Sequence, residues 1–450
     1  MTDNTQHPQP PSSTKSGLSR RDAIKLGAAG AAAGLSAPLL GGTVSAAHRP
    51  RPARRATSGS PATVRFWHWY VEQQDQLPQV IADFEEANPN IKVEMRLIAD
   101  VEGGYLPALL AAAAADDLPE IYAPHVHSVS FGRQGLAADL VAELGDEFLA
   151  DFFEAGSSMF LLDGKQYAVG WMAQTMGIFY DPDAFEAAGI DGEPETWDDL
   201  IVASNTLKEG GSLGIMQAAD NGFSVGDTWF PMITGFSGDP DTMRQLDERD
   251  GATWTDEPVV QALELYERTV LEGAWQDNMT GMDQQACLNA LYAGAGAGFY
   301  TGSWNPTTIY NDAPADLVER IRVMKTPAVE AGGRHWTGNS AGAAFSVANN
   351  SPNKDAALTF MQYLYSSDVY TWVMSDSVSL PATESAAAEV TDPIIQTMAS
   401  WLPDGCRHWL TGPAGQVVAD TTMELTAGRV SAAEAAERIE AEAATLDYDS

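Results

Sequence analysis

Cysteine is nearly absent, with two residues in 450, Cys287 and Cys406, and no spacing pattern between them. That rules out a disulfide-rich scaffold and leaves room for one bridge at most, if the chain works in an oxidising compartment. Lysine is also scarce, with five residues after position 60, and the same stretch holds 17 basic against 60 acidic side chains, a net of 43 negative charges. A field of that sign repels nucleic acid and anionic lipid and argues against both as partners. The acidic residues are spread along the body instead of forming one tail, as in a surface that holds water and cations in strong brine, so a salt-loving source is expected. The chain is read as lacking a G-x-S-x-G nucleophile elbow, an H-E-x-x-H helix and a Cys/His nucleophile pair, so no catalytic residue is assigned. It is expected to need no cofactor and no metal.

The one candidate apolar run, Leu26 to Leu40, is too short to span a bilayer comfortably and is built mostly of Ala and Gly. Lys15, Arg20, Arg21 and Lys25 precede it as a basic region, and small residues at Val44 and Ala46, or Ser45 and Ala47, suit a signal peptidase. Ser19-Arg20-Arg21-Asp22-Ala23-Ile24-Lys25 resembles a twin-arginine export signal, although Ala23 stands where an aromatic is usual. Residues 1–47 are therefore read as that signal. Residues 48–61, HRPRPARRATSGSP, are basic and proline-rich without an apolar period, and are read as a disordered linker. No cysteine follows the signal to carry a lipid, so the passenger is either free beyond the membrane or anchored by the uncleaved run.

The body alternates strands and helices. ATVRFWHWY at 62–70 reads as a buried strand, and Val80, Ile81 and Phe84 recur at helical spacing behind it. Asn88-Pro89-Asn90 ends that helix, and the alternation Ile91, Val93, Met95, Leu97 announces a second strand. Such a β-α-β unit implies parallel neighbours. Behind it come an alanine-rich helix at 105–115, a short strand at 120–123, helices near 136–160 and a strand pair around GKQYAVGW and MGIFYDP. The fold class is α/β.

The order of these pieces resembles the extracellular solute-binding proteins of ABC importers, family 1, the maltose-binding-protein-like group. FWHWY with IADFEEANPNIKVE is similar to the family's opening strand and helix. DGKQYAVGWMAQTMGIFYDPDAFEAAGI (163–190), LNALYAGAGAGFYTGSW (288–304) and TGNSAGAAFSVANNSPNKDAALTFMQYLYS (337–366) are similar to its three interdomain crossings. ETWDDLIVASNTLK (195–208) and LTAGRVSAAEAAERIEAEA resemble the helix after the first crossing and the closing helix. The resemblance implies a two-lobe, type II periplasmic-binding-protein-like fold with ligand between the lobes. Carried over crossing by crossing, it places 62–172 and 301–338 in the N-terminal lobe and 173–300 and 339–450 in the C-terminal lobe. It also implies a monomer that hands a small-molecule sugar to ABC permease subunits in the membrane. The alternatives are a secreted carbohydrate-active enzyme and a binder of another solute, such as a glycerol phosphate.

A pyranose offers hydroxyls at its edge and an apolar C–H face, so a sugar site needs flat aromatics beside amides and carboxylates. Twelve tryptophans are available. Trp304 in TGSW is the leading candidate, because the resemblance places a stacking aromatic there. Trp69 and His68 stand at the end of the first strand, where α/β sheets place ligands, while Trp67 is assigned to the core. Trp171 and Gln174 flank the first crossing, Trp336 and Asn339 the third, and Trp229 lies in GDTWFP; core packing or a hinge role is the alternative for each. His125, in PHVHS with His127, is read as part of a cleft loop in preference to a metal ligand.

Overall fold

The computed structural model describes residues 61–153, 157–407 and 409–448. The signal and linker, assigned to residues 1–47 and 48–61, lie outside the described residues apart from Pro61. Among the described residues no helix is long and apolar enough to cross a membrane.

The opening β-α-β unit forms as its pattern dictates. Strand β1 (Ala62–His68) buries Val64, Phe66 and His68 on one face. The following helix, Gln76–Ala87, turns Leu77, Val80 and Phe84 inward at i, i+3 and i+7. β2 (Ile91–Leu97) and β3 (Ile121–Tyr122) both run parallel to β1. Trp67, expected in the core, is partly buried and packs against the first core, with the Arg96 guanidinium 4.6 Å above its ring. Among the described residues, the helices expected near 136–160 are short, Leu140–Leu144 and Asp146–Leu149, with a further turn at Ser158–Phe160.

Two long strands tie the halves of the molecule together. The pair expected around GKQYAVGW and MGIFYDP is mostly one strand, β4, running from Val169 to Tyr180. Its first part pairs antiparallel with β8 (Thr337–Val347), with a register shift between Ser340 and Ala343. Its last part, Met176 to Tyr180, pairs with β6 (Gly298–Gly302) and β7 (Arg322–Lys325) instead. β5 (Ile215–Gln217) lies parallel to β6, and β9 (Gly405–Arg407) parallel to the start of β8. The sheet thus runs β2-β1-β3-β8-β4-β6-β5, with β7 and β9 off that path.

The cores divide accordingly. One gathers Phe66, Phe84, Tyr122, Trp171, Phe345, Phe360 and Met374. A second gathers Ile178, Trp197, Trp229, Trp254, Tyr266, Tyr300 and Ile439, and a third covers the other face of the same strands with Phe179, Phe299, Ile309, Leu317 and Trp401. This corrects the expected lobe assignment of two stretches. Residues 301–338 pack with the second lobe, because Gly302 ends a strand paired to Met176 and the chain then turns back over the same sheet. Residues 341–386 belong to the first lobe, because β8 leaves the β4 junction toward β3 and delivers Phe345, Val347, Phe360 and Met374 to the first core. The chain then returns, and Ile394, Met398 and Trp401 pack in the second lobe.

Both cysteines are buried free thiols, so no bridge joins them. Cys406 Sγ lies 3.4 Å from the Thr337 carbonyl in the β8–β9 pair, and Cys287 packs in the third core. Burial pushes both thiols up to about 12, which keeps them protonated and unreactive.

Candidate functional site

A cavity of about 390 Å³ opens where the two lobes face each other. The first lobe contributes His125 and Val126, from the loop after β3; the second contributes the rest. Its largest pieces are the starts of two helices, Gly222–Ser237 and Gly415–Thr426, together with Trp304 just beyond β6 and Trp409 just beyond β9. The two helices touch at Gly222, where a Cβ would fall 2.0 Å from the Ala419 carbonyl oxygen, so only glycine permits this crossing. Along the first helix, Phe223, Asp227 and Phe230 recur at i, i+4 and i+7 and all line the cavity. Phe223 is 48% exposed, a large apolar surface with no protein covering it.

Trp304 is held as a plate. Its ring lies over Gly302, where a Cβ would stand 1.9 Å from the indole, and its Nε1–H donates to Gln284 Oε1 at 2.8 Å. On the other side, His125 sits between Trp69 and Trp409, with ring centroids 5.6 and 5.0 Å away. Its backbone is in the left-handed region, φ +52°, a strained conformation for a residue with a Cβ. Burial, with His127 adding to it, pushes its imidazole down to about 4, so the ring is neutral at ordinary pH. Its Nδ1 is buried without a hydrogen-bond partner. Among the described residues of the cavity wall Asp227 is the one acid, and burial drives its carboxyl well above the usual carboxylate range.

Of the residues singled out from sequence, the structure brings Trp304 and His125 to this cavity, with Trp69 packed behind His125 and against Tyr70 and Tyr105. The others are corrections. His68 points into the first core, stacked on Phe66 and accepting from the Tyr70 N–H at 3.2 Å, because it shares the inward face of β1 with Val64 and Phe66. Trp171 is fully buried there too, its indole donating to Gln73 Oε1 at 3.3 Å. Trp229 is fully buried in the second core between Phe230 and Trp254, on the face of its helix turned away from Phe223 and Asp227. Asn339 is a buried junction residue whose amide donates to the Leu402 carbonyl, and Gln174 accepts from Ser340 across the β4–β8 pair. Trp336 is buried under the Arg334 guanidinium, 4.1 Å from its ring, beside Trp197 and away from the cavity.

Trp409, Phe223, Asp227, Phe230 and Gln416 were missed. The i, i+4, i+7 stripe of Phe223, Asp227 and Phe230 was a readable signal, an acid between two aromatics on one helix face; nothing local marks Trp409. The G-x-S-x-G elbow was read as absent; the bare string occurs three times, at 210–214, 222–226 and 338–342. None is a strand-turn-helix elbow: Ser212 lies in a helix-to-strand turn and donates to the Ala295 carbonyl, Ser224 lies in the first turn of a helix and bonds Asn221, and Ser340 lies inside β8 and bonds Gln174. Among the described residues, no three His, Cys, Asp or Glu side chains converge as a metal site would require. A larger groove of about 880 Å³, between the helices Gly415–Thr426 and Ala432–Ala443, has no aromatic wall, and Arg438 within it is paired to Glu424.

Residues 70–371 match the family model of the bacterial extracellular solute-binding proteins. The chain belongs to that family. Among curated members, a putative binding protein of Brucella abortus (strain 2308) is 25% identical over 344 residues, 75% of this chain and 80% of that protein. The diacetylchitobiose binding protein of Streptomyces coelicolor (strain ATCC BAA-471 / A3(2) / M145) is 24% identical over 260 residues, 56% of this chain and 58% of the relative. Among solved structures, a chitin oligosaccharide binding protein superposes with a TM-score of 0.73 at 18% identity, covering 85% of this chain and 98% of that one. A Streptomyces glaucescens GLA.O receptor solved with and without acarbose gives 0.72 at 20% identity, covering 85% and 97%. These solute-binding proteins share the two-lobe α/β fold described above.

Proposed function

We propose that this protein is the extracytoplasmic capture component of an ABC importer, taking a sugar into the interlobe cavity and presenting the closed form to the membrane permease. The observation that carries the reading is the pair of tryptophans, Trp304 and Trp409, on separate segments of one cavity to which both lobes contribute. Flat aromatic faces pack against the C–H face of a pyranose, while Asp227, Gln416 and His125 meet its edge. A cavity of about 390 Å³ is within the range of small-ligand sites, and hinge closure between lobes is a common way to bury such a ligand. The names of curated relatives, a multiple sugar-binding protein of Streptococcus mutans among them, point to the same ligand class. The reading is of a monomeric binder without catalytic residues, exported by the twin-arginine route that Arg20 and Arg21 suggest.

The test pairs thermal stabilisation with product analysis over a panel of mono- and oligosaccharides. A ligand that binds only the folded state raises its stability by mass action. Stabilisation without turnover is the expected outcome; product formation would select the enzyme reading instead.

A further inference from the structure

Both lobes also line a second, smaller pocket, of about 240 Å³. The first lobe brings Val129 and Arg133, on the short helix Ser128–Arg133 that continues directly from the His125 loop. The second brings Glu248, which ends the helix Thr242–Glu248, with Asp250, Arg407 and the stretch 411–413 that follows Trp409 and Leu410. The two segments that meet at the sugar cavity, around His125 and Trp409, therefore also meet here. A hinge closure that draws the cavity walls onto a ligand draws these walls together as well.

The two walls carry opposite charge. On the second-lobe side Asp247 is already engaged: it accepts from the Thr411 and Gly412 N–H groups at 2.8 Å and pairs with Arg407 at 3.1 Å. Asp241, Glu248 and Asp250 share Arg244, at 2.7, 2.8 and 3.2 Å, and Glu248 also reaches Arg407 at 3.5 Å. In this cluster four carboxylates face two guanidinium groups, which leaves two negative charges uncompensated. Asp250 is the most open of the four, with its side chain 72% exposed. On the first-lobe side stands Arg133, exposed, and among the described residues its guanidinium has no ion-pair or hydrogen-bond partner. A guanidinium meets a carboxylate through two parallel bonds, and the attraction grows as closure brings the charges together and removes water from between them.

Resting on the sugar-capture reading above, we propose that Arg133 is an electrostatic latch, pairing with Glu248 and Asp250 when the lobes close and favouring the closed form without touching the sugar. A group that acts only on the closed fraction changes the apparent affinity of every ligand by one common factor. The experiment is calorimetry on the full chain with glucose, maltose, cellobiose, N-acetylglucosamine and diacetylchitobiose, at 0.1 M and 1 M NaCl, where the Debye length is about 10 and 3 Å. At 0.1 M, Arg133→Glu is expected to weaken binding of each sugar that the wild type takes by the same factor, threefold or more. At 1 M the factor is expected to fall below twofold. The charge exchange, Arg133→Glu with Asp250→Arg, is expected to bind within twofold of wild type at 0.1 M, and apo melting temperatures confirm that each variant folds. Affinity in Arg133→Glu within threefold of wild type at 0.1 M would overturn the latch and leave sugar capture standing. A loss as large at 1 M as at 0.1 M, or one that the charge exchange does not relieve, would overturn the pairing across the pocket. A factor that differs from sugar to sugar would also overturn the latch, making Arg133 a ligand contact. If the wild type binds none of the five sugars, sugar capture falls and the latch with it.

Discussion

The two lobes meet at one cavity but treat their aromatic residues differently. In the first lobe, the residues at the ends of the strands are drawn inward: His68 and Trp171 are buried in the core, and among the described residues the lobe lines the cavity with His125 and Val126 alone. In the second lobe the helix starts and the turns after strands come to the cavity, and Phe223, Trp304 and Trp409 keep part of their rings open. A tryptophan's neighbourhood in sequence therefore says little about its role here. Trp229 and Phe230 are adjacent, yet Trp229 is sealed in the core while Phe230 also borders the cavity.

The sharpest way to break this contrast is to truncate one tryptophan of each kind. Trp229→Ala empties a fully buried site and should cost about 3 to 5 kcal/mol of folding free energy, read by denaturant unfolding of the apo protein. Trp304→Ala should leave apo stability much closer to wild type and instead weaken sugar binding by about 2 kcal/mol, roughly thirtyfold, in calorimetry. If the Trp304 variant binds normally but melts far below wild type, Trp304 belongs with Trp229 and the division fails.

A pH titration separates the sealed first-lobe site from the open one. Burial pushes His68 down to about 3, while in the unfolded chain a histidine takes up a proton near 6.5. Its contribution is intact above about 6.5 and is lost as pH falls toward 3, because the unfolded state then binds a proton that the folded state refuses. The slope is about 1.4 kcal/mol per pH unit over that window. His68→Gln should therefore flatten the acid limb of stability against pH relative to wild type; parallel curves would mean that His68 is protonated in the fold. The smallest expected effect is at Gln284, whose acceptor orients the Trp304 indole from an exposed helix start. Gln284→Ala should weaken sugar binding by about 1 kcal/mol or less with unchanged stability, and an effect as large as that of Trp304→Ala would make Gln284 a ligand contact in its own right.

The opening β-α-β unit was legible because periods of 2 and 3.6 in apolar residues report which face is buried, and Val64, Phe66, Leu77 and Phe84 obey them. The α/β class and the family order followed from such local patterns. The capping box Thr196/Asp199 fixes the start of the Trp197–Glu209 helix within four residues of chain. What could not be read was anything set by long-range pairing. Whether the chain crosses between lobes at 301 or at 340 depends on which partner β6 and β8 find along β4, and the register shift after Ser340 is invisible in composition. The same holds for the site: His125 and Trp409 are 5.0 Å apart across 284 positions of chain, and only the folded packing joins them. The sequence by itself determined the acidic field and the local elements with their buried faces, since these depend on neighbours a few residues apart. The tertiary structure decided which aromatics became core and which became cavity wall, because burial of a side chain is fixed by what the rest of the fold lays over it.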